Sequence, residues 1–346
     1  ILTADSNGIN TVTGGASADT ITGSASDLGD TLTGGAGNDT FNFAVANLTS
    51  LDTVTGGTGT DIIAISDAGT TIDLDFTNVT TVETLNGANA ANSVITLGPL
   101  ATAAGIVTVA PDTGTNTINI PATHTGNLTV NLVAGTDDVL AAAYTGALTV
   151  TAASASITSA DTITGGTGTS DQLTITATSS NSLTTGELVG VTAIETFKLA
   201  SNLAVSIVTN ALNVASGATL TVDASLMTTA ALSFSGVAET TTPGHFSITT
   251  LGTGAHGITL GSGNDTYTST NTAGTNTVIA TGGTNTITTG GGADAITLGT
   301  GVDNVTSGTG NDTITTATLN LVSTDTIAGG AGTDTLTLSN NTTIVD

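Results

Sequence analysis

The pattern of apolar and polar positions repeats every nine residues between Asn276 and Asp312. Each repeat starts with a glycine-rich half, continues through Asp or Asn and a small residue, and ends on one large apolar residue. Glycine permits the positive φ of tight turns, and one inward side chain per strand suits a narrow solenoid. The pattern therefore predicts turns alternating with short strands, two repeats per coil, and inward side chains at Val278, Ile287, Ile296, Val305 and Ile314.

A longer signature, Asp-Thr-apolar followed by two glycines and a second Asp, occurs four times. The copies begin at Gly29, Leu51, Ala160 and Thr324, and the third contains one extra residue, Ser170. Two copies are followed by an apolar-Glu-Thr strand, at Glu83 and Glu195. A larger unit therefore repeats, and the chain is either a portion of a longer repetitive polypeptide or closes with a terminal strand near Thr337 to Asp346.

The amino-acid composition narrows the range of possible fold classes and of possible partners. The chain has 346 residues, 27 acidic side chains and a single Lys or Arg, which gives a net charge of −26. Nucleic acids and anionic membranes require basic side chains, so we expect neither as a partner, and no segment is apolar enough to insert into a membrane. Gly, Thr and β-branched residues predict an all-β protein, and the absence of cysteine excludes disulfides.

Stacked coils would bring the aspartates of successive repeats close together. At a strand spacing of about 4.8 Å, neighbouring carboxylates repel by about 3 kcal/mol at an effective dielectric constant of about 20. The single Lys198 cannot neutralise such a column, whereas a divalent cation can. Calcium accepts carboxylate and carbonyl oxygens in flexible geometry, so we expect several Ca²⁺ ions.

The segment GGAGNDTFN, from Gly34 to Asn42, resembles the GGxGxDxUx nonapeptide of RTX proteins at every defined position. The segments that start at Gly56 and Gly329 also fit this pattern. The resemblance implies a parallel β-roll or β-solenoid with calcium-binding glycine-rich turns. It implies ligands at Asp19, Asp39, Asp61, Asp265, Asp294, Asp303, Asp312 and Asp334, and less directly at Asp30, Asp52, Asp161, Asp171 and Asp325. Asn276 and Asn285 would be weaker, uncharged ligands.

The resemblance also predicts an organisation. We expect an RTX-like β-roll at 1–70, a Thr/Ala/Val-rich β segment at 71–158, a second RTX loop with a β segment at 159–258 and a further β-roll at 259–346, unless all form one continuous solenoid. Irregular β segments are expected between the loops. In style, the whole is similar to surface-layer (S-layer) proteins of Gram-negative bacteria. That similarity implies export by type I secretion, a cell-surface location, self-association, and a cell-surface polysaccharide as a further partner.

The sequence offers no catalytic constellation, so we predict that the protein is not an enzyme. His124, His245 and His256 are scattered, and GTGAHG, from Gly252 to Gly257, is interpreted as a turn rather than as a nucleotide-binding loop. Glu83 and Glu195 occupy equivalent repeat positions, which favours a structural role over a hydrolytic pair. The expected function is a calcium-dependent self-assembling surface protein. The alternatives are an adhesin or biofilm-matrix stalk, and the carboxy-terminal RTX part of a secreted enzyme or toxin.

Overall fold

The computed structural model describes residues 1–5, 8–25, 28–87, 92–178, 181–238 and 244–339, so the end of the expected terminal strand lies outside the described residues. The chain divides into two compact units. The first comprises Ile1–Ala152 and Ala160–Gln172, and the second comprises Ala153–Ser159 and Leu173–Asp346. Each unit is a stack of parallel coils, which confirms the predicted all-β solenoid.

The first unit has a principal parallel sheet to which every coil contributes one strand. Its strands are Leu2–Thr3, Thr20–Thr22, Thr40–Phe43, Ile62–Ile65, Thr84–Asn86, Thr108–Ala110, Leu128–Asn131 and Leu148–Ala153. The coils also form two smaller sheets. One contains Thr11–Gly15, Thr31–Ala36, Thr53–Thr58 and Val79–Thr80, and the other contains Gly69–Thr71, Ser93–Thr96, Thr115–Asn119, Thr136–Leu140 and Thr162–Thr164.

The second unit repeats this plan with two long sheets. One contains Gln172–Thr176, Thr196–Leu199, Thr219–Ala224, His245–Thr250, Thr266–Ser269, Thr284–Thr288, Val302–Thr306 and Thr326–Ala328. The other contains Asn181–Leu183, Val205–Val208, Leu232–Ser235, Gly257–Thr259, Thr277–Ile279, Ala295–Leu298, Thr313–Thr316 and Thr335–Leu338. The remaining described elements are the strand Val191–Thr192 and the short 3-10 helix Ser154–Ser156.

The core is a ladder of apolar side chains held in register. In the first unit Ile21 pairs with Phe41, Phe41 with Ile63 and Ile63 with Leu85, and all four are fully buried. Threonines mostly occupy the alternate positions, which face outward because successive strand residues point to opposite sides. The inward positions predicted in the second unit are confirmed, since all of them are buried: Val278, Ile287, Ile296, Val305 and Ile314.

Coil length varies while the strand register is kept. Equivalent residues are 18 positions apart at Asp294 and Asp312, as two nonapeptides require, but 22 apart at Asp39 and Asp61. The segments between the glycine loops also differ from expectation. Strands such as Ser93–Thr96 stack in parallel register with their neighbours, so these segments are regular coils rather than irregular β structure. Their inward apolar residues suffice to hold the register without glycine doublets.

One coil of the first unit contains the α-helix Pro99–Ala104. Pro99 suits the first turn, where its missing N–H is not needed, and the carboxylate of Asp73 accepts the N–H of Ala101 at 2.8 Å. Gly105 ends the helix with a left-handed φ of 102°. Within the described residues of this unit, the other helices are the 3-10 turns Val45–Asn47 and Asp73–Phe76. Among the described residues, no helix has the length and apolar character needed to cross a membrane.

Candidate calcium sites

Aspartates of successive coils form columns in which each carboxylate accepts a backbone N–H from the preceding coil. In the first unit, Asp39 Oδ1 accepts the N–H of Asp19 at 2.7 Å, and Asp61 Oδ1 accepts the N–H of Asp39 at 2.7 Å. Glu83 Oε2 takes the same position on the following coil and accepts the N–H of Asp61 at 2.7 Å. These bonds satisfy buried amides and hold the carboxylates one coil apart.

The second oxygen of these carboxylates has no partner within the protein. Oδ2 of Asp39 and Oδ2 of Asp61 are buried and accept no hydrogen bond, and the same is true of Asp265, Asp294 and Asp312. A buried anionic oxygen that has lost its water and gained no donor is strongly disfavoured. Each such oxygen therefore requires either a proton or a cation.

Glycine turns bring backbone oxygens to the same places. A Cβ added at Gly34 would collide with Oδ2 of Asp39 and would lie 2.6 Å from the carbonyl oxygen of Gly56 on the next coil. A Cβ at Gly56 would collide with Oδ2 of Asp61 and with the carbonyl oxygen of Thr81. Carboxylate and carbonyl oxygens thus converge beside a bare glycine, and any larger residue would fill the space between them.

These carboxylate and carbonyl oxygens are ligands of the kind that fits calcium. Among the described residues, no three Asp, Glu, His or Cys side chains form a metal-binding cluster, so an ion must also take backbone carbonyls as ligands. Calcium accepts roughly six to eight oxygens in flexible geometry, whereas magnesium demands a strict octahedron. Asp39, Asp61 and the carbonyl of Gly56 would hold one ion, which would supply the positive charge that the column lacks.

The second unit contains a column of the same design. Asp294 Oδ1 accepts the N–H of Asn276 at 2.6 Å, and Asp312 Oδ1 accepts the N–H of Asp294 at 2.8 Å. Asp334 Oδ1 accepts the N–H of Asp312 at 3.0 Å. A Cβ at Gly329 would collide with Oδ2 of Asp334, so the glycine cradle is present here as well.

A parallel column in the second unit contains Asp265, Asn285, Asp303 and Asp325. Asp265 Oδ1 accepts the N–H of Phe246 at 2.8 Å, and Asn285 Oδ1 accepts the N–H of Asp265 at 3.1 Å. Asp325 Oδ1 accepts the N–H of Asp303 at 2.9 Å. The structure thus brings the predicted residues of this unit into two columns of stacked oxygen donors.

A family model described as the RTX calcium-binding nonapeptide repeat matches the chain at residues 5–41, 270–305, 297–316 and 323–340. The chain carries RTX calcium-binding repeats. The predicted resemblance to RTX repeats and the predicted calcium cofactor are therefore confirmed. RTX repeats occur in secreted proteins, which indicates an extracellular calcium-binding protein. No curated protein and no solved structure matches the chain.

Three predicted ligands upstream of the RTX glycines have both carboxylate oxygens occupied. Oδ1 accepts an N–H from the preceding coil in Asp30, Asp52 and Asp325. Oδ2 accepts an N–H from the adjoining loop at 2.8 Å in each case, from Ser24, Thr49 and Val322 respectively. Burial opposes ionisation of Asp30, but hydrogen bonds from Ser24 and Asn10 outweigh it and lower its pKa. These residues stabilise turns, and their role as calcium ligands stays a prediction.

Asp171 joins a column despite the extra Ser170 in its loop. Its Oδ1 accepts the N–H of Leu148 at 2.8 Å, as the RTX aspartates do for the preceding coil. Its Oδ2 accepts the N–H of Gly166 at 2.6 Å and so differs from the unpartnered oxygens of Asp39 and Asp61. The insertion therefore keeps the stacking bond and places a backbone donor on the oxygen that calcium would use.

Asparagines in the columns supply a donor in place of an ion. The side-chain amide nitrogen donates to the carboxylate of the following coil at 3.0 Å from Asn10, 3.0 Å from Asn276 and 2.9 Å from Asn285. An Asn above an Asp therefore donates a hydrogen bond to Oδ1 of the carboxylate and adds no second negative charge, while Oδ2 of Asp294 stays without a partner. Asn276 and Asn285, predicted as weak ligands, bond in the structure to the carboxylates of Asp294 and Asp303.

His256 occupies the aspartate position of a further RTX-like nonapeptide. The segment GTGAHGITL aligns with GGGADAITL, which contains Asp294, and both segments form turns followed by strands. His256 Nδ1 accepts the N–H of Leu232 at 3.1 Å, the same type of bond that Asp294 makes. Because Nδ1 accepts, the neutral ring carries its proton on Nε2, which is buried without a partner. Burial lowers the pKa of His256 and keeps it neutral.

We expect His256→Asp to raise the number of bound calcium ions by one. In the natural protein a neutral ring with a buried, unpartnered N–H stands at the aspartate position, and it offers no oxygen to a cation. Native mass spectrometry in calcium would count the ions. The control is His256→Asn, which can accept the Leu232 N–H without adding charge. An unchanged count in His256→Asp would contradict the expectation.

Thr81 and Glu83 complete the calcium cradle at the end of the first column, which sequence reasoning did not predict. Thr81 adopts a left-handed φ of 51°, and its carbonyl lies where the next glycine carbonyl would otherwise be. Ala193, two residues before Glu195, has a φ of 52°. The repeated apolar-Glu-Thr segment thus combines a strained residue with a glutamate. Its recurrence after two glycine loops was the available signal.

Calcium-free protein should become more stable on mild acidification. Burial raises the pKa of Asp265 to about 6, and it also raises the pKa of Asp61, Asp294 and Asp303. A raised folded-state pKa favours the protonated form, so this stability is complete below the unfolded pKa near 3.8 and is lost as the pH rises through about 6. For Asp265 the difference corresponds to roughly 3 kcal/mol.

Thermal unfolding of metal-depleted protein at pH 5 and pH 7.5 would check this expectation. The melting temperature should be higher at pH 5, and Asp265→Asn should reduce the difference between the two values. With calcium present the order should reverse, because protons compete with the ion for the same oxygens. A lower melting temperature at pH 5 without calcium would show that these carboxylates are not destabilised by burial.

Proposed function

We propose that this calcium-binding protein is a self-assembling structural component of the bacterial cell surface, in an S-layer or an extracellular filament. The observation that carries the proposal is the succession of carboxylate columns, which the single Lys or Arg of the chain cannot neutralise and bound calcium ions would. Ions between successive coils would stiffen each unit, because neighbouring coils are then joined through shared oxygen ligands as well as backbone bonds. Stiffness of that kind serves a lattice or a fibre.

The proposal includes that the protein is not an enzyme. Side chains that commonly serve catalysis are engaged in contacts between coils. His124 Nδ1 lies 3.0 Å from the hydroxyl of Thr102, and His245 Nδ1 accepts the N–H of Asn264 at 2.9 Å. Glu83 accepts the N–H of Asp61. These bonds support structural roles for the two histidines and the glutamate.

The proposed site of action is outside the cell, where calcium is abundant. Binding sites in extracellular modules work at calcium concentrations of roughly 0.1 to 1 mM. Metal binding supplies folding free energy, so a chain exported in low calcium would fold when it meets the ion outside. The proposed partners are further copies of the chain and a cell-surface polysaccharide. A net charge of −26 disfavours nucleic acids and anionic membranes.

Electron microscopy of the native protein, with calcium and after chelation, tests the proposal. We expect an ordered sheet or fibre in calcium that dissolves in chelator and returns when calcium is restored. Isolated rods under both conditions would overturn self-assembly and favour an adhesin stalk or the appendage of a secreted enzyme. Assembly that persists in chelator would overturn the role of calcium in the lattice.

A further inference from the structure

Asp137 carries the signature of the RTX calcium ligands although it lies outside every segment that the RTX family model matches. Its Oδ2 is buried and accepts no hydrogen bond, as in the RTX aspartates Asp39, Asp61, Asp294 and Asp312. The residue itself is only 1% exposed. Nothing in the nonapeptide pattern points to it, because the glycine doublet is missing from its coil.

Asp137 is stacked on Asp161 as the RTX aspartates are stacked on each other. The N–H of Asp137 donates to Oδ1 of Asp161 at 2.8 Å. The corresponding bond is 2.7 Å from Asp39 to Asp61. The strand Thr136–Leu140, which contains Asp137, pairs in parallel register with Thr162–Thr164, which directly follows Asp161. The two carboxylates therefore lie one coil apart, as those of Asp39 and Asp61 do.

The opposite side of Asp137 needs no ion. Asn116 on the preceding coil donates its side-chain N–H to Oδ1 of Asp137 at 2.8 Å and to the carbonyl oxygen of Asp112 at 2.9 Å. The Asn116 amide is thus directed at Oδ1 of Asp137, and Oδ2 receives no hydrogen bond. Burial, and then the charges of Asp161, Asp112 and Asp138, raise the pKa of Asp137 to about 6 against the lowering by Asn116.

Glycine and carbonyl groups persist in these coils. Gly135-Thr-Asp137 retains the Gly-x-Asp spacing in the middle of an RTX nonapeptide, and Gly114-Thr-Asn116 has Asn in place of the Asp. A Cβ added at Gly135 would collide with the carbonyl oxygen of Gly114 and would lie 3.1 Å from that of Thr113. Carbonyl oxygens of the preceding coil therefore face the bare glycine beside Asp137, as the carbonyl oxygen of Gly37 faces Gly59.

We propose that a calcium ion binds between Asp137 and Asp161, in coils that lie outside the segments matched by the RTX family model. The ligands from side chains are Oδ2 of Asp137 and the carboxylate of Asp161. Calcium suits these ligands because they are oxygen atoms, and carbonyl oxygens or water can provide the remaining ligands. The inference concerns ion binding within one chain and does not rest on self-assembly.

Counting calcium by native mass spectrometry of the full chain tests the proposal. Asp137→Asn is expected to bind one ion fewer than the natural protein. Asp138→Asn, which removes the same charge from the neighbouring position of the strand, is expected to bind the full number. Asp161→Asn should lose the same ion, and the double variant should lose no more ions than Asp161→Asn alone. Circular dichroism in calcium establishes that each variant is folded.

Two outcomes would overturn the proposal. One is an unchanged ion count in Asp137→Asn together with a higher melting temperature without calcium, which would identify Asp137 as a buried neutral acid. The other is an additive loss in the double variant, which would place the two carboxylates at separate ions. If Asp137→Asn does not fold, Asp161→Asn still decides, because it must then bind at least one ion fewer than the natural protein.

Discussion

Removal of calcium at neutral pH unfolds the solenoid, and its return restores the β structure: this is the largest effect that we expect. Stacked carboxylates such as Asp39 on Asp61 repel by about 3 kcal/mol per pair at an effective dielectric constant of about 20. Each calcium ion present at about 1,000 times its dissociation constant stabilises the folded state by about 4 kcal/mol. Two or three sites therefore account for as much free energy as the roughly 5 to 15 kcal/mol that a folded domain possesses.

Far-ultraviolet circular dichroism and thermal melts in calcium and in chelator would check this result. Magnesium is the control, because its strict octahedral geometry suits a cradle of carbonyls poorly, so it should restore little structure. Because stacked coils contact mainly their neighbours, unfolding should also lose cooperativity as ions are removed in steps. Identical spectra and melting temperatures in calcium and chelator would contradict the expectation.

Substitution of Gly34 by Ala is expected to remove a calcium site without changing the charge of the protein. The added Cβ would collide with Oδ2 of Asp39 and crowd the carbonyl of Gly56 at 2.6 Å. The ion would lose its space, and overpacking alone costs about 1 to 3 kcal/mol. Together with the lost ion, we expect unfolding free energy in calcium to fall by about 4 kcal/mol or more.

The matched control for this variant is Gly257→Ala. Gly257 has no heavy atom within 4 Å of an added Cβ. The substitution should therefore leave both the ion count and the unfolding free energy nearly unchanged. Calcium titration calorimetry and urea unfolding would compare the two variants. Equal stability and equal ion counts in both would show that the glycine cradle does not hold the ion.

Most of the fold of the second unit could be predicted from the nonapeptide pattern. Every nine positions the pattern supplies a glycine turn, an acidic residue and one inward apolar residue. This leaves the strand register little freedom, so Ile296 and Ile314 lie in the core as predicted. The coil length at Asp294 and Asp312 follows from the same pattern. Local conformational preference and packing agree at each position, which is why the sequence was informative there.

Other features of the sites depend on which donor reaches which carboxylate oxygen. The spacing of residues in the sequence does not determine these contacts. Asp30 and Asp39 both precede a strand, yet loop donors occupy Oδ2 of Asp30 and none reaches Oδ2 of Asp39. The histidine at 256 looks unrelated to calcium until its ring is found to make the bond of an aspartate. The coil of Asp137 lacks the glycine doublet, so only its stacking on Asp161 reveals the like-charged pair.

The variable coil length has an evolutionary consequence. Equivalent residues lie between 18 and 24 positions apart, while the stacking bond stays between 2.6 and 3.1 Å. Extra residues lie in loops at the corners of a coil, so they do not change the register of the stacked strands. Lengthening a surface loop adds little to the entropic cost of closing it. Insertions can therefore accumulate at corners under weak selection while the column positions stay fixed. Such a scaffold diversifies its exterior by changes in length, and the same corners are suitable positions for displaying foreign peptides.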